Sequence, residues 1–320
     1  MTPTTFAPEP EHVMELRRQL QRFVKEKAPR QKRLQWDREH TWPRELFREI
    51  AEMGLIGLTI PAAYGGTGRD LVAAVAVIEE LSQAGAFLAG PYIHAAFYGG
   101  MNLSENGSED QKQALLPKIA RGELLLCYGL SEPNVGGDLS SVETRAEMHG
   151  DAIVINGSKR WCTGADWSDY IYCLVRSGDP AARHANLSLL LIPTDTPGIS
   201  MQAIEHNNLR YTASMDVSFD NVTVGPDAIV GGRDMWNKGW QQLSGRALDV
   251  EKIEITACAY GFARAAVEEA WQYAREREQF GKPIASHQAV RHKLVTAKTK
   301  LQAARHMLYH GAWLADQGLP

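Results

Sequence analysis

Residues 128–169 carry the densest chemistry in the chain. They run YGLSEPNVGGD, then an alternating pair of short segments, then KRWCTGADWSD. A turn built from Ser, Pro, Asn and Gly leaves backbone N–H groups outside any ladder, where they are free to meet a polar edge. The flat indole of Trp161 and the hydroxyl of Thr163 follow at the end of a predicted hairpin. Fixed N–H donors beside an aromatic plane suit a planar, polar-edged cofactor such as a flavin. On residue type alone, Trp161 reads first as a barrel-core aromatic, which is where most Trp side chains go.

The elements that must position these residues follow from the pattern of apolar positions. Val13, Leu16, Leu20 and Phe23 predict a helix over 11–30. A second starts at Trp42-Pro43, with Pro43 in its first turn and Leu46, Ile50, Met53 and Leu55 on one face. A glycine-broken loop at 56–70 leads to Asp70, which suits the N-cap of LVAAVAVIEELSQAG. Segment 90–105 reads as a buried helix, and 108–123 as an amphipathic one interrupted by Pro117. Near residue 124 the period changes to two. Met148, Ile153 and Ile155 alternate with polar positions, and Asn156-Gly157 is a hairpin-turn dipeptide. Further strands are expected at 170–176 and 187–193, and in a pair, MDVSF and VTV, joined by Asp220-Asn221. After Gly225 two long helices, 233–275 and 285–317, flank the turn QFGKPI.

The fold class expected is therefore mainly α with a central small antiparallel β-barrel or sandwich, in the order helical, β, helical. The domains are placed at 1–123, 124–226 and 227–320.

Composition narrows the function classes. The chain has 320 residues, 44% hydrophobic and 22% charged, with formal net charge -4, which describes an ordinary globular protein without a basic footprint for nucleic acid. Cys127, Cys162, Cys173 and Cys258 lack metal-ligand spacing and read as reduced core thiols, so no metal site is expected. The N-terminal residues lack the pattern of a signal peptide, and no apolar run reaches membrane-spanning length, so a cytoplasmic location is expected.

Five segments in order carry a resemblance: PRELFREIAEMGLIGLTIPAAYGG, LSEPNVGGD, NGSKRWCTGAD, RALDVEKI and REREQFGKPIASHQAV. Together they resemble the acyl-CoA dehydrogenase family across nearly the whole length. The resemblance implies FAD as cofactor, α,β-desaturation of an acyl-CoA thioester, and transfer of electrons to an electron-transfer flavoprotein. It also implies a homo-tetramer or hetero-oligomer with FAD at subunit interfaces.

Residue by residue, it places the backbone of Tyr128, Leu130 and Ser131 along the isoalloxazine edge, with Trp161 and Thr163 as the second contact strand. Gly136 and Gly137 fall where the loop meets flavin and CoA ligand. The family commonly has Ser after the Gly of this loop. Gly137 lacks that hydroxyl, and with it a hydrogen bond worth about 0.5–1.5 kcal/mol.

Arg277 and Phe280 match the turn whose Arg reaches a neighbouring subunit's FAD diphosphate, and Gln288 matches a residue near the adenine. LDVEK places Glu251 where a subset resembling isovaleryl-CoA and long-chain acyl-CoA dehydrogenases carries its catalytic base, flanked by Asp249 and Lys252 as CoA contacts. By residue type alone, DVEKIE is an ordinary solvated helix face. HAAFYGGM (94–101) and the helix bearing Glu251 are expected to line the acyl pocket.

Complete relatives continue past the point matched by residue 320, with a Gly-rich adenine-side segment and the loop that usually holds the base. A shortened chain is therefore expected. A non-catalytic or partner-dependent subunit or fragment, or a flavin oxidase or monooxygenase on the same fold, are the alternative functions.

Overall fold

The computed structural model describes residues 9–207 and 212–319, apart from the side chains of residues 246 and 247. It divides into two compact units. One comprises residues 1–33, 70–89 and 250–320, and the other 34–69 and 90–249.

The first unit is helical. It contains α1 (Glu11–Lys27), α4 (Leu71–Ala84), most of α9 (Arg246–Glu276) and α10 (Gln288–Asp316). α4 is mostly apolar and is buried along nearly its whole length, Glu79 and Glu80 included, as a helix packed on several sides must be. As the sequence implied, Asp70 caps it, Oδ1 accepting from the Ala73 N–H at 2.8 Å. Asp316, the last residue of α10, accepts from the N–H of Leu71 and Val72 at 3.0 and 3.2 Å, so two carboxylates meet the positive end of one helix.

Glu79 and Glu80 of α4 sit within a buried ionic network. Arg17 of α1 donates to Glu79 at 2.8 Å and Glu80 at 2.6 Å. Arg264 of α9 donates to Glu79 at 2.7 Å, and Tyr309 of α10 to Glu79 at 2.6 Å. Gly261 lets α9 approach α4 closely, since a Cβ there would lie 2.5 Å from the Ser82 Cβ.

The second unit carries the sheet. Two short helices lead in: α3 (Arg44–Glu52), and α2 (Arg30–Glu39), which begins in the first unit. α5 (Ala86–Ile93) likewise enters from the first unit and passes into a π-helical turn at His94–Met101, then α6 (Asn102–Asn106) and α7 (Glu109–Ala120). The strands are β1 (Leu126–Gly129), β2 (Arg145–His149), β3 (Ala152–Thr163), β4 (Tyr170–Arg176), β5 (Leu187–Pro193), β6 (Ile199–Ala203) and β7 (Ser214–Val224). They form one seven-stranded sheet, β1-β4-β2-β3-β7-β6, with β5 on the other edge of β4. Its core is Cys127, Ile153, Ile155, Cys173, Ile192, Val217 and their neighbours. Short α8 (Gly239–Leu243) follows, and a two-stranded hairpin, β8 (Glu278–Gln279) with β9 (Lys282–Pro283), separates α9 from α10.

The α, β, α order stands, with local corrections. The helix expected over 11–30 ends at Lys27, and α2 starts at Arg30 after Pro29. Pro43 is the N-cap of α3 and not in its first turn. Pro117 lies inside α7 without interrupting it, and the start of α7 is a Ser108/Gln111 capping box. The helix expected from 233 is two short turns and α8, broken at Ser244-Gly245 before α9.

Asn156-Gly157 is not a turn. It lies within β3, whose hairpin to β2 turns at Gly150-Asp151. Gly157 is needed for φ +142°, and a Cβ there would meet Thr144 Cα at 2.7 Å. Asp220-Asn221 likewise kinks a single strand, β7, through Asn221 at φ +51°. The sheet is also not purely antiparallel, because β1 and β2 both pair parallel to β4.

Candidate active site

β1 delivers the loop LSEPNVGGD. Gly129 ends the strand against Ile171, whose Cγ2 would lie 2.7 Å from an added Cβ. The half-buried residues Leu130 and Ser131 follow. Among the described residues neither of their N–H groups has a protein acceptor. A tight turn comes next, with Glu132 N–H donating to Val135 O at 2.8 Å.

The loop is fixed to β3 at two points. Arg160 N–H donates to Ser131 O at 2.9 Å. Lys159, fully buried, donates from Nζ to Glu132 Oε1 at 2.8 Å and to Leu130 O at 3.1 Å. Glu132 also accepts from the N–H of Glu143 at 2.6 Å and of Thr144 at 2.8 Å. Burial works to raise its carboxyl pKa, but the Lys159 ammonium and these hydrogen bonds outweigh that and hold it below the usual range.

Two residues past Lys159 the strand bulges. Pairing with β7 slips between Lys159 and Cys162, and Trp161 takes φ +64°, which L-residues rarely adopt. The bulge turns the indole outward, 55% exposed, with the Arg160 guanidinium 4.9 Å from its ring centroid. Thr163 closes the strand, its hydroxyl 2.8 Å from that of Ser214. Two unpaired N–H groups, an outward indole and a nearby hydroxyl gather on this edge, which fits the polar rim and flat face of a flavin. Trp161 is thus a bulge residue on the surface of its unit and not a barrel-core aromatic.

Gly136 and Gly137 are exposed, and a Cβ on either would touch nothing within 4 Å. Neither glycine is required by the packing of the chain on itself. The Tyr128 side chain turns away from the loop; it stacks on Tyr98 with centroids 3.8 Å apart, and its hydroxyl accepts from the Asn102 amide. Only its backbone can serve the edge role. His94 opens the π-helical turn, buried, its Nδ1 3.0 Å from Leu126 O. Burial outweighs that hydrogen bond and pushes its pKa down to about 4, so the ring is neutral near pH 7.

The remaining candidates lie on α9, the hairpin and α10. Glu251 is half-buried, and burial pushes its carboxyl above the usual value of 4.5. Three residues on, Glu254 is 1% exposed, and among the described residues neither carboxylate oxygen has a hydrogen-bond partner. Burial, and then the charge of Glu251, push it well above 4.5. Asp249 and Lys252 are exposed on the same helix. Arg277 and Phe280 are exposed at the hairpin, Phe280 by 91% at φ +55°, and Gln288 is exposed at the start of α10. Among the described residues no His, Cys, Asp and Glu cluster could hold a metal ion, and no helix is long and apolar enough to cross a membrane.

Comparison with known proteins identifies the family. The acyl-CoA dehydrogenase N-terminal domain matches residues 10–123, the middle domain 127–222 and the C-terminal domain 237–320. The chain is 34% identical over 285 residues to the probable acyl-CoA dehydrogenase YngJ of Bacillus subtilis (strain 168), covering 89% of this chain and 74% of that one. It is 33% identical over 318 residues to (2S)-methylsuccinyl-CoA dehydrogenase of Cereibacter sphaeroides, covering 95% of this chain and 56% of that one. The structure of glutaryl-coenzyme A dehydrogenase with glutaryl-CoA superposes with a TM-score of 0.92 at 28% identity, covering 98% of this chain and 78% of that one. The chain belongs to the acyl-CoA dehydrogenase family, FAD-dependent oxidoreductases acting on CH–CH bonds.

Residue types gave no hint of Lys159, Glu132 or Glu254. The first two pass for surface charges in a loop and a strand, and the third for one more charge in DVEKIE. Strand parity held a signal for Lys159, which shares the inward face of β3 with Ile153 and Ile155 and therefore needs a buried counter-charge.

Proposed function

We propose that this chain desaturates an acyl-CoA thioester between the α and β carbons, with an electron-transfer flavoprotein as acceptor and Glu251 as the base. Glu251 carries the proposal. Its carboxyl is half-buried, on the family's helix-borne base position, with a pKa moved up by burial. A carboxylate so shifted is a stronger base for the acidified α-proton of a thioester than a solvated one.

FAD, when bound, supplies the two-electron acceptor for the β-carbon. The edge of Leu130, Ser131, Trp161 and Thr163 would hold its redox end, and Gly136 and Gly137 leave room for the CoA ligand beside it. Arg277, Phe280 and Gln288 would serve the diphosphate and adenine of FAD in a neighbouring subunit of a homo-tetramer or hetero-oligomer. Asp249 and Lys252 would meet the CoA moiety.

The test is anaerobic mixing of the FAD-loaded protein with a panel of straight, branched, dicarboxylic and aryl acyl-CoAs. Bleaching of the flavin is expected with at least one, and Glu251→Gln should abolish it while FAD stays bound. Bleaching of the variant at an unchanged rate would remove Glu251 from the role. Absence of flavin absorbance after reconstitution would favour the non-catalytic subunit, and rapid oxygen consumption the oxidase.

A further inference from the structure

Lys159 is an expensive residue to bury. Taking an ammonium out of water costs several kcal/mol, and an apolar side chain of similar volume would fill the space without that cost. Holding the loop does not require it, because Arg160 N–H already ties Ser131 O to β3 at 2.9 Å. The informative contact is the second one, from Nζ to Leu130 O at 3.1 Å. Leu130 C=O and Ser131 N–H are the two ends of a single peptide group. The same resonance that makes the group planar couples its ends. A cation at the oxygen draws density from the nitrogen and makes the N–H a stronger donor, as in any chain of polarised hydrogen bonds. That N–H has no acceptor among the described residues. Glu132 keeps the ammonium in place, being itself held by the N–H groups of Glu143 and Thr144.

We propose that Lys159 is a tuning and positioning residue: through Leu130 O it polarises the 130–131 peptide, so that Ser131 N–H favours the reduced flavin. This rests on the placement of FAD along residues 128–131. Negative charge gathers at the pyrimidine end of a flavin on reduction, and a strengthened donor there stabilises the reduced form over the oxidised one.

The experiment compares the FAD-loaded full chain with its Lys159→Met/Glu132→Gln double variant, which removes both charges together. The readouts are the flavin midpoint potential, from anaerobic dye-equilibrated titration, and the flavin carbonyl stretch in the infrared. FAD should stay bound, the reduction equilibrium should shift about tenfold toward the oxidised form, or ~30 mV for a two-electron couple, and the stretch should move to higher frequency. Unchanged potential and stretch with FAD bound would overturn the proposal and leave Lys159 a structural tie. If that variant does not accumulate folded, Lys159→Gln/Glu132→Gln keeps amide hydrogen bonds across the same space and is judged by the same readouts. A wild-type chain that takes up no FAD overturns the flavin placement itself, before any variant is compared.

Discussion

Glu254 follows Glu251 by three residues on one face of α9, buried to 1% exposure with both carboxylate oxygens unpartnered among the described residues. A carboxyl in that position must be neutral to be tolerated. Its folded-state pKa lies above the unfolded value, so the pH-dependent part of its cost is absent below about pH 4.5 and grows as pH rises from there toward the folded pKa. Glu254→Met should therefore raise stability at neutral pH, by about 1–3 kcal/mol for removing an unsatisfied buried polar group. Denaturant titrations across pH 4 to 8 should show the gain growing with pH. A gain that shrinks with pH would mean the carboxyl is charged and paired.

With Glu251 as the proposed base, its burial implies a pH dependence for the chemistry. Glu251 must be deprotonated to act as a base, and its pKa is moved up from 4.5 by burial. Single-turnover flavin reduction should rise with pH to a plateau, with a midpoint above 4.5. A midpoint at or below the solvated value would argue that Glu251 is not the titrating group.

How far the sequence spoke for itself differs from element to element. Helices with clear end signals, such as the one capped by Asp70, were legible because cap chemistry and burial agree there. Asn156-Gly157 misled because the local preference for a turn is overridden by two neighbouring strands, and the positive φ is spent inside β3. The loop and Trp161 were legible as a place. The bulge that turns the indole outward was not, since it depends on a register slip against β7, some fifty residues away in sequence. The partners of Lys159 and Glu79 are tertiary facts of the same kind.

The ionic network around α4 should make the first unit sensitive to the loss of a single charged partner. Arg17 is 7% exposed and joins Glu79 and Glu80 at once. Arg17→Met leaves two buried carboxylates short of a partner and should cost about 3–5 kcal/mol, the usual penalty for breaking a buried pair from one side. Arg305, with 27% of its side chain exposed and a longer 3.8 Å approach to Glu79, should cost distinctly less on the same change. Chemical denaturation of both variants checks the order; equal losses would show that solvent reaches Arg17 as freely as Arg305.

Gly137 offers the clearest separation of fold from ligand. An added Cβ there meets nothing within 4 Å, and its φ lies outside the left-handed range that favours glycine. Gly137→Ser should leave the melting temperature within a degree or two of wild type, because a surface change away from strained backbone rarely exceeds ~0.5 kcal/mol. If the loop meets the CoA ligand as proposed, the new hydroxyl restores one hydrogen bond, worth about 0.5–1.5 kcal/mol, and KM for the best acyl-CoA falls roughly twofold to tenfold. Unchanged KM with unchanged stability would move the ligand away from this loop. A large loss of stability would instead mean that Gly137 is packed against something the chain alone does not supply, such as a neighbouring subunit.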